Sequence, residues 1–142
     1  KNHTFLPRLK ELLPELEGLS YGDSLTLIAT RFLLSLKERK SMVKIMYSEV
    51  TIYPEKIKKL YNKFIDDLQL TLASYFRGLQ KKGFLRSVSP EMAAKLFLGI
   101  LFSYFRSEEI MRGLDITKKG KMDREVREIV DIFVHGTLKE RE

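Results

Sequence analysis

An all-α fold is predicted, on three observations. Apolar residues recur at intervals of three and four along nearly the whole chain. Nowhere do four or more residues alternate apolar and polar between turn signals, as a half-buried strand requires. Two Pro-Glu steps, Pro54-Glu55 and Pro90-Glu91, each open a long periodic run. Proline is well placed at a first helical turn because its missing N–H is unneeded there, and a carboxylate beside it complements the helix dipole. The expected architecture is an orthogonal bundle of about six helices around one core.

The elements follow in order. Phe5 to Leu19 carries Phe5, Leu6, Leu9, Leu12, Leu13 and Leu16 as one stripe, with Gly18 and Gly22 marking its end. Asp23 or Ser24 then caps a second helix whose apolar positions are Leu25, Ile28, Ala29, Phe32, Leu33 and Leu36. Glu38 to Lys40 is a polar break, and Met42, Val43, Ile45, Met46 and Val50 form a shorter amphipathic segment. Pro54 opens a long helix with the stripe Ile57, Leu60, Tyr61, Phe64, Leu68, Thr71, Leu72, Tyr75 and Leu79, closed by the basic turn Lys81-Lys82-Gly83. Ser89-Pro90-Glu91 starts a helix to about Met111. A polar, basic loop from Asp115 to Lys121 precedes a last helix from about Asp123 to the C-terminal charges.

Between Met92 and Phe105 the charged residue is Lys95 alone, and the helix is apolar around its circumference. Such a helix has to be covered on every face. Either it is the central core helix of a monomer, or one face meets another subunit.

The composition bounds the function. The 142 residues, 44% hydrophobic and 32% charged, suit one folded domain with a core that needs no disulfide or metal. The absence of cysteine excludes a thiol nucleophile and Cys-ligated metals. Apolar runs fall short of the roughly 18 residues of a membrane span, and no signal peptide is recognisable, so the cytoplasm is the default compartment. A first residue of Lys1 rather than Met suggests part of a longer chain. The formal charge of +7 favours anionic partners. From Lys37 to Lys63 there are eight Lys and Arg against three Asp and Glu. Lys56, Lys59 and Lys63 recur opposite the apolar stripe, where a solvated face belongs, and no segment has the form of a base-reading helix.

No chemistry-bearing constellation emerges, and neither a cofactor nor a metal is expected. His3 and His135 lie at opposite ends of the chain, without a second ligand at metal spacing. Asp115 to Val126 imitates a calcium loop, but Lys119 and Val126 stand where ligands are needed. Asp66 and Asp67 are adjacent and point about 100° apart on a helix, so they cannot share a reacting centre. The chain reads as a non-enzyme.

From about Lys37 onward the order of features resembles the C-terminal regulatory domain of TetR-type transcriptional repressors. The resemblance is carried by Tyr53-Pro54-Glu55, by Leu79-Gln80-Lys81-Lys82-Gly83-Phe84-Leu85-Arg86, by Ser89-Pro90-Glu91-Met92-Ala93-Ala94, and by Val130-Asp131-Ile132-Phe133-Val134-His135-Gly136-Thr137-Leu138. The opening Lys1-Asn2-His3-Thr4-Phe5-Leu6 is similar to the segment that follows the family's helix-turn-helix. Residues 1–142 would then be the effector-binding and dimerisation domain, with the DNA-binding module upstream and the operator contacts outside this sequence. The resemblance further implies a homodimer in which the last two helices form a four-helix bundle with their copies. Leu96, Ile100, Val126, Ile129, Val130, Phe133 and Gly136 are the expected interface. It also implies an effector pocket faced by Phe32, Leu36, Met42, Met46, Tyr47, Phe64, Leu68, Thr71, Tyr75, Phe102 and Phe105. With no acidic residue in that set, the expected effector is a neutral or anionic hydrophobe, such as an acyl chain or an aromatic acid. The rival reading is a helical interaction or carrier module whose basic face docks on an anionic membrane surface or an acidic protein.

Overall fold

The computed structural model describes residues 5–139. The readings placed on Lys1–Thr4, His3 among them, and on the last charges lie outside these residues. Among the described residues are six α-helices: α1 (Phe5–Leu12), α2 (Tyr21–Glu38), α3 (Lys40–Glu49), α4 (Pro54–Lys81), α5 (Pro90–Phe105) and α6 (Lys121–Thr137). There is no strand among them, only one isolated antiparallel bridge between Leu85 and Leu138.

Local chemistry explains the boundaries. Ser89 Oγ accepts from the Met92 amide at 3.1 Å, with Pro90 in the first turn of α5. Gly83, at φ +86°, closes α4 in a left-handed cap: the Phe84 amide donates to Leu79 O at 3.0 Å and the Gly83 amide to Gln80 O at 3.0 Å. Three boundaries differ from the sequence expectation. The first helix ends at Leu12 and continues as a 3₁₀ turn, Leu13–Leu16, because Pro14 offers no N–H to the α-helical ladder. The cap of α2 is Ser20, whose Oγ accepts from the Asp23 amide at 3.1 Å, so Gly22 lies inside the helix. The helix expected to reach Met111 is α-helical only to Phe105 and then widens into a π turn, Arg106–Met111, in which the Arg112 amide reaches Ser107 O at 2.9 Å.

The core lies where α4 packs on α5 and α2 on α6. Phe97 is its centre, 5.0 Å from Phe133 and 6.5 Å from Phe76 between ring centroids, with Phe76 and Phe133 5.9 Å apart. These separations fall in the range of attractive edge and tilted ring contacts. The expected stripe of α4 holds only in part. Leu60 and Tyr61 are exposed, whereas Ile65, Ala73 and Phe76 are buried. At its N-terminal half this 28-residue helix faces α3 and a cavity rather than the main core, so Ile57 is buried while Leu60 and Tyr61 stay exposed.

On α5, Ala93, Ala94, Phe97, Leu98, Leu101 and Phe105 face inward, while Met92, Leu96 and Ile100 stay exposed. The chain therefore leaves one apolar face of this helix uncovered. The loop before it is tied to the far end of α6: the Arg86 amide donates to Thr137 O at 2.9 Å, and Arg86 Nε to Gly136 O at 2.9 Å.

Candidate binding cavity

The outer half of α4, α3 and the middle of α5 border a cavity of about 430 Å³ that is open to solvent where Tyr47, Val50 and Tyr61 are exposed, within the size range of small-molecule sites. Val43, Met46, Tyr47 and Val50 of the α3 segment form one wall. Pro54, Ile57, Lys58, Tyr61 and Phe64 of α4 form the second, and Gly99 and Phe102 of α5 the third. Gly99 leaves room because a Cβ built there would meet nothing within 4 Å. Phe102 forms the inner surface. Its ring stands nearly perpendicular to Phe32 at 5.3 Å and edge-on to Phe64 at 6.3 Å.

The lining is acid-free, and its charged member is Lys58. The Arg106 guanidinium lies 5.2 Å from the centre of the Tyr47 ring, a cation–π distance that fixes the ring from outside the cavity. Burial pushes the Tyr47 hydroxyl above its ordinary range, the nearby Arg106 pulls it back in part, and the phenol stays neutral near pH 7. Met46 and Phe64 also line a second cavity of about 330 Å³, completed by Arg39, Met42, Leu60, Lys63, Asp67 and Leu68.

Of the residues expected to face a pocket, Met46, Tyr47, Phe64 and Phe102 meet in the first cavity, and Met42 and Leu68 join Met46 and Phe64 in the second. Tyr75 belongs elsewhere. It lines a separate cavity of about 540 Å³ with Tyr21, Leu79 and Phe84, at the other end of α4. Phe32, Leu36 and Phe105 are fully buried in the core, and Thr71 is half-buried; none of these four lines a cavity described here. A periodicity of three and four marks the buried side of a helix, but it does not distinguish the part that touches a core from the part that borders space. The sequence reading did not assign Val43, Ile57, Gly99 or Arg39 to a pocket. The one signal available was Gly99, a helix-interior glycine within an apolar run.

The residues expected at a subunit seam separate into two groups. Leu96, Ile100 and Gly136 are exposed, and Ile129 is half-buried. Val126, Val130 and Phe133 instead face their own chain's core, where Phe133 packs on Phe76 and Phe97. This corrects the expectation for those three, because the stripe they form is already covered from within. The apolar residue that α6 presents outward is Ile132, at 75% exposure.

No group of three or more His, Asp or Glu among the described residues is arranged to hold a metal ion. Asp66 and Asp67 are exposed. No helix among the described residues is long and apolar enough to cross a membrane.

Residues 23–136 match the family of AefR-like transcriptional repressor C-terminal domains. The chain is also 28% identical over 94 residues to YvkB, an uncharacterised HTH-type transcriptional regulator of Bacillus subtilis strain 168. That match takes in 66% of this chain and 49% of the relative, so the chain matches about half of that regulator's length. No solved structure matches the chain significantly.

Proposed function

We propose, from the premise that the chain belongs to the TetR-type transcriptional regulators and carries the C-terminal domain of their AefR-like repressors, that it is an effector sensor. In this reading it binds a small hydrophobic or amphipathic molecule between α3, α4 and α5 and pairs with a second copy through α5 and α6. Occupancy is relayed to a helix-turn-helix preceding Lys1, which makes the operator contacts. Membership of a regulator family favours a sensor over an enzyme.

The observation that supports the reading most is the acid-free cavity of about 430 Å³, walled by Met46, Tyr47, Phe64 and Phe102. Apolar lining with a few hydroxyls is what a site for apolar guests requires, and a flexible thioether lets the wall re-pack around guests of different shape. The test is a thermal-shift series with matched neutral, anionic and cationic hydrophobes on the chain and on Met46→Trp, whose indole would fill the space. Stabilisation by neutral or anionic probes, lost in Met46→Trp at unchanged helicity, is the expected result. Stabilisation that survives the filling, or that favours cations, would place the guest elsewhere.

A further inference from the structure

We propose that the cavity of about 540 Å³ at the C-terminal end of α4 is a second small-molecule site, and that it takes a neutral phenolic compound. It shares no lining residue with either cavity beside α3, so it stands apart from the effector reading.

The walls come from three places. Leu13 and Leu16 belong to the 3₁₀ turn that continues α1, Tyr21 and Ser24 to the first turns of α2, and Tyr75 and Gly78 to the end of α4. A guest would touch all three and brace the turn after α1 against α4. The Tyr21 ring is held in place from α6. Thr137 Oγ1 donates to Phe133 O at 2.8 Å, so across the 2.9 Å contact between Tyr21 and Thr137 the phenol is the donor. Tyr75 is paired differently, since its hydroxyl meets that of Ser24, a buried side chain on the same lining. A phenol both donates and accepts, and Ser24 fills one of these roles. The other is left to water or to the hydroxyl of a guest.

The rest of the lining sets the body of that guest. A Cβ built on Gly78 would meet nothing within 4 Å, so no neighbour calls for a glycine there, and its missing side chain leaves the space open. Leu19 and Phe84 border the mouth as exposed apolar surface that a guest would cover. Tyr21, Tyr75 and Phe84 offer three rings for edge or offset contact with a flat aromatic. Burial pushes the Tyr21 hydroxyl up to about 12 and Tyr75 above its ordinary value, so both are neutral near pH 7. The charged residues on the lining, Glu17 and Lys82, are exposed and solvated, and the interior therefore offers an ion no counter-charge.

Isothermal titration with 2-naphthol, naphthalene, decahydro-2-naphthol and 2-naphthoate tests the assignment, on the unaltered chain and on Met46→Trp, in which the cavity beside α3 is filled. In both, 2-naphthol should bind about fivefold more tightly than naphthalene, the effect of one neutral hydrogen bond, and more tightly than the other two probes. Tyr75→Phe in the Met46→Trp background should remove the gap between 2-naphthol and naphthalene. Gly78→Leu in that background puts a good helix former into the open space and should abolish 2-naphthol binding at unchanged helicity. Loss of 2-naphthol binding in Met46→Trp alone assigns the guest to the cavity beside α3 and overturns the second site while the effector reading stands. Binding that survives Gly78→Leu, or a preference that survives Tyr75→Phe, overturns it as well. Tighter binding of decahydro-2-naphthol or 2-naphthoate overturns the phenolic class. Should Gly78→Leu fold poorly, the Tyr75→Phe comparison decides the location by itself.

Discussion

Lys37 Nζ lies 2.7 Å from Glu109 Oε2, and the Glu109 side chain is completely buried. The same carboxylate accepts from Lys40 Nζ at 2.9 Å and from the Ile116 amide at 3.0 Å. One side chain of the π turn thus joins the end of α2, the start of α3 and the loop before α6. Glu109→Gln keeps the volume but removes the charge that two ammonium groups face. Because both lysines are partly exposed and can regain water, the loss should be less than for a wholly buried pair, about 2–3 kcal/mol. Urea unfolding measures it, and a difference within experimental error would show the cluster to be energetically idle.

Acid should act through the same cluster. Burial alone would raise the Glu109 carboxyl, but Lys37, the Ile116 amide and Lys40 together hold it below its ordinary 4.5. The Thr117 hydroxyl, the Thr117 amide and Lys37 bring Asp115 from 3.8 to about 2. Both groups therefore bind protons more readily in the unfolded chain. Their contribution is complete above the ordinary carboxylate range and is lost as pH falls through the folded values, from about 4.5 towards about 2. Thermal melts across this window should show a smaller acid-induced loss in Glu109→Gln than in the unaltered chain. Equal losses would assign acid sensitivity to other carboxylates.

Phe102→Ala should have two effects that separate. Removing the ring deletes the contacts to Phe32 and Phe64, at a cost of about 2–4 kcal/mol for a half-buried aromatic. It also enlarges the cavity, so bulkier apolar guests should gain in affinity relative to slim ones. A stability loss with no change in guest preference would mean that Phe102 supports the core without shaping the site.

The long helix from Pro54 to Lys81 and the start at Pro90 were legible because their signals are local: a proline in the first turn, a serine cap, a glycine after the last turn. What escaped was decided by tertiary packing. Val126, Ile129, Val130 and Phe133 recur at three and four along α6, but whether its own chain or a second copy covers them depends on where Phe76 and Phe97 lie. For the cavity, the family resemblance implied Met46, Phe64 and Phe102 among its lining, and the structure brings these three together. Arg39, half-buried like Lys37 and Lys40, could not be picked out, because within the polar run Glu38–Lys40 nothing local distinguishes a cation that borders a cavity from one that is ion-paired.

The orientation of α6 also determines how the proposed dimer should be broken. Met92, Leu96 and Ile100 recur every fourth residue along the uncovered face of α5, and Ile132 projects from α6. A second copy would bury these side chains at a twofold seam. A charge placed there meets water in the monomer and is unpaired only in the dimer. Leu96→Glu combined with Ile132→Glu should therefore yield a monomer of unchanged helicity. Phe133→Glu should instead unfold the chain, since its side chain is enclosed with Phe76 and Phe97. Sedimentation velocity at micromolar concentration, paired with circular dichroism, separates the two outcomes. A monomeric unaltered chain would remove the seam, and a folded, monomeric Phe133→Glu variant would return that residue to the subunit surface.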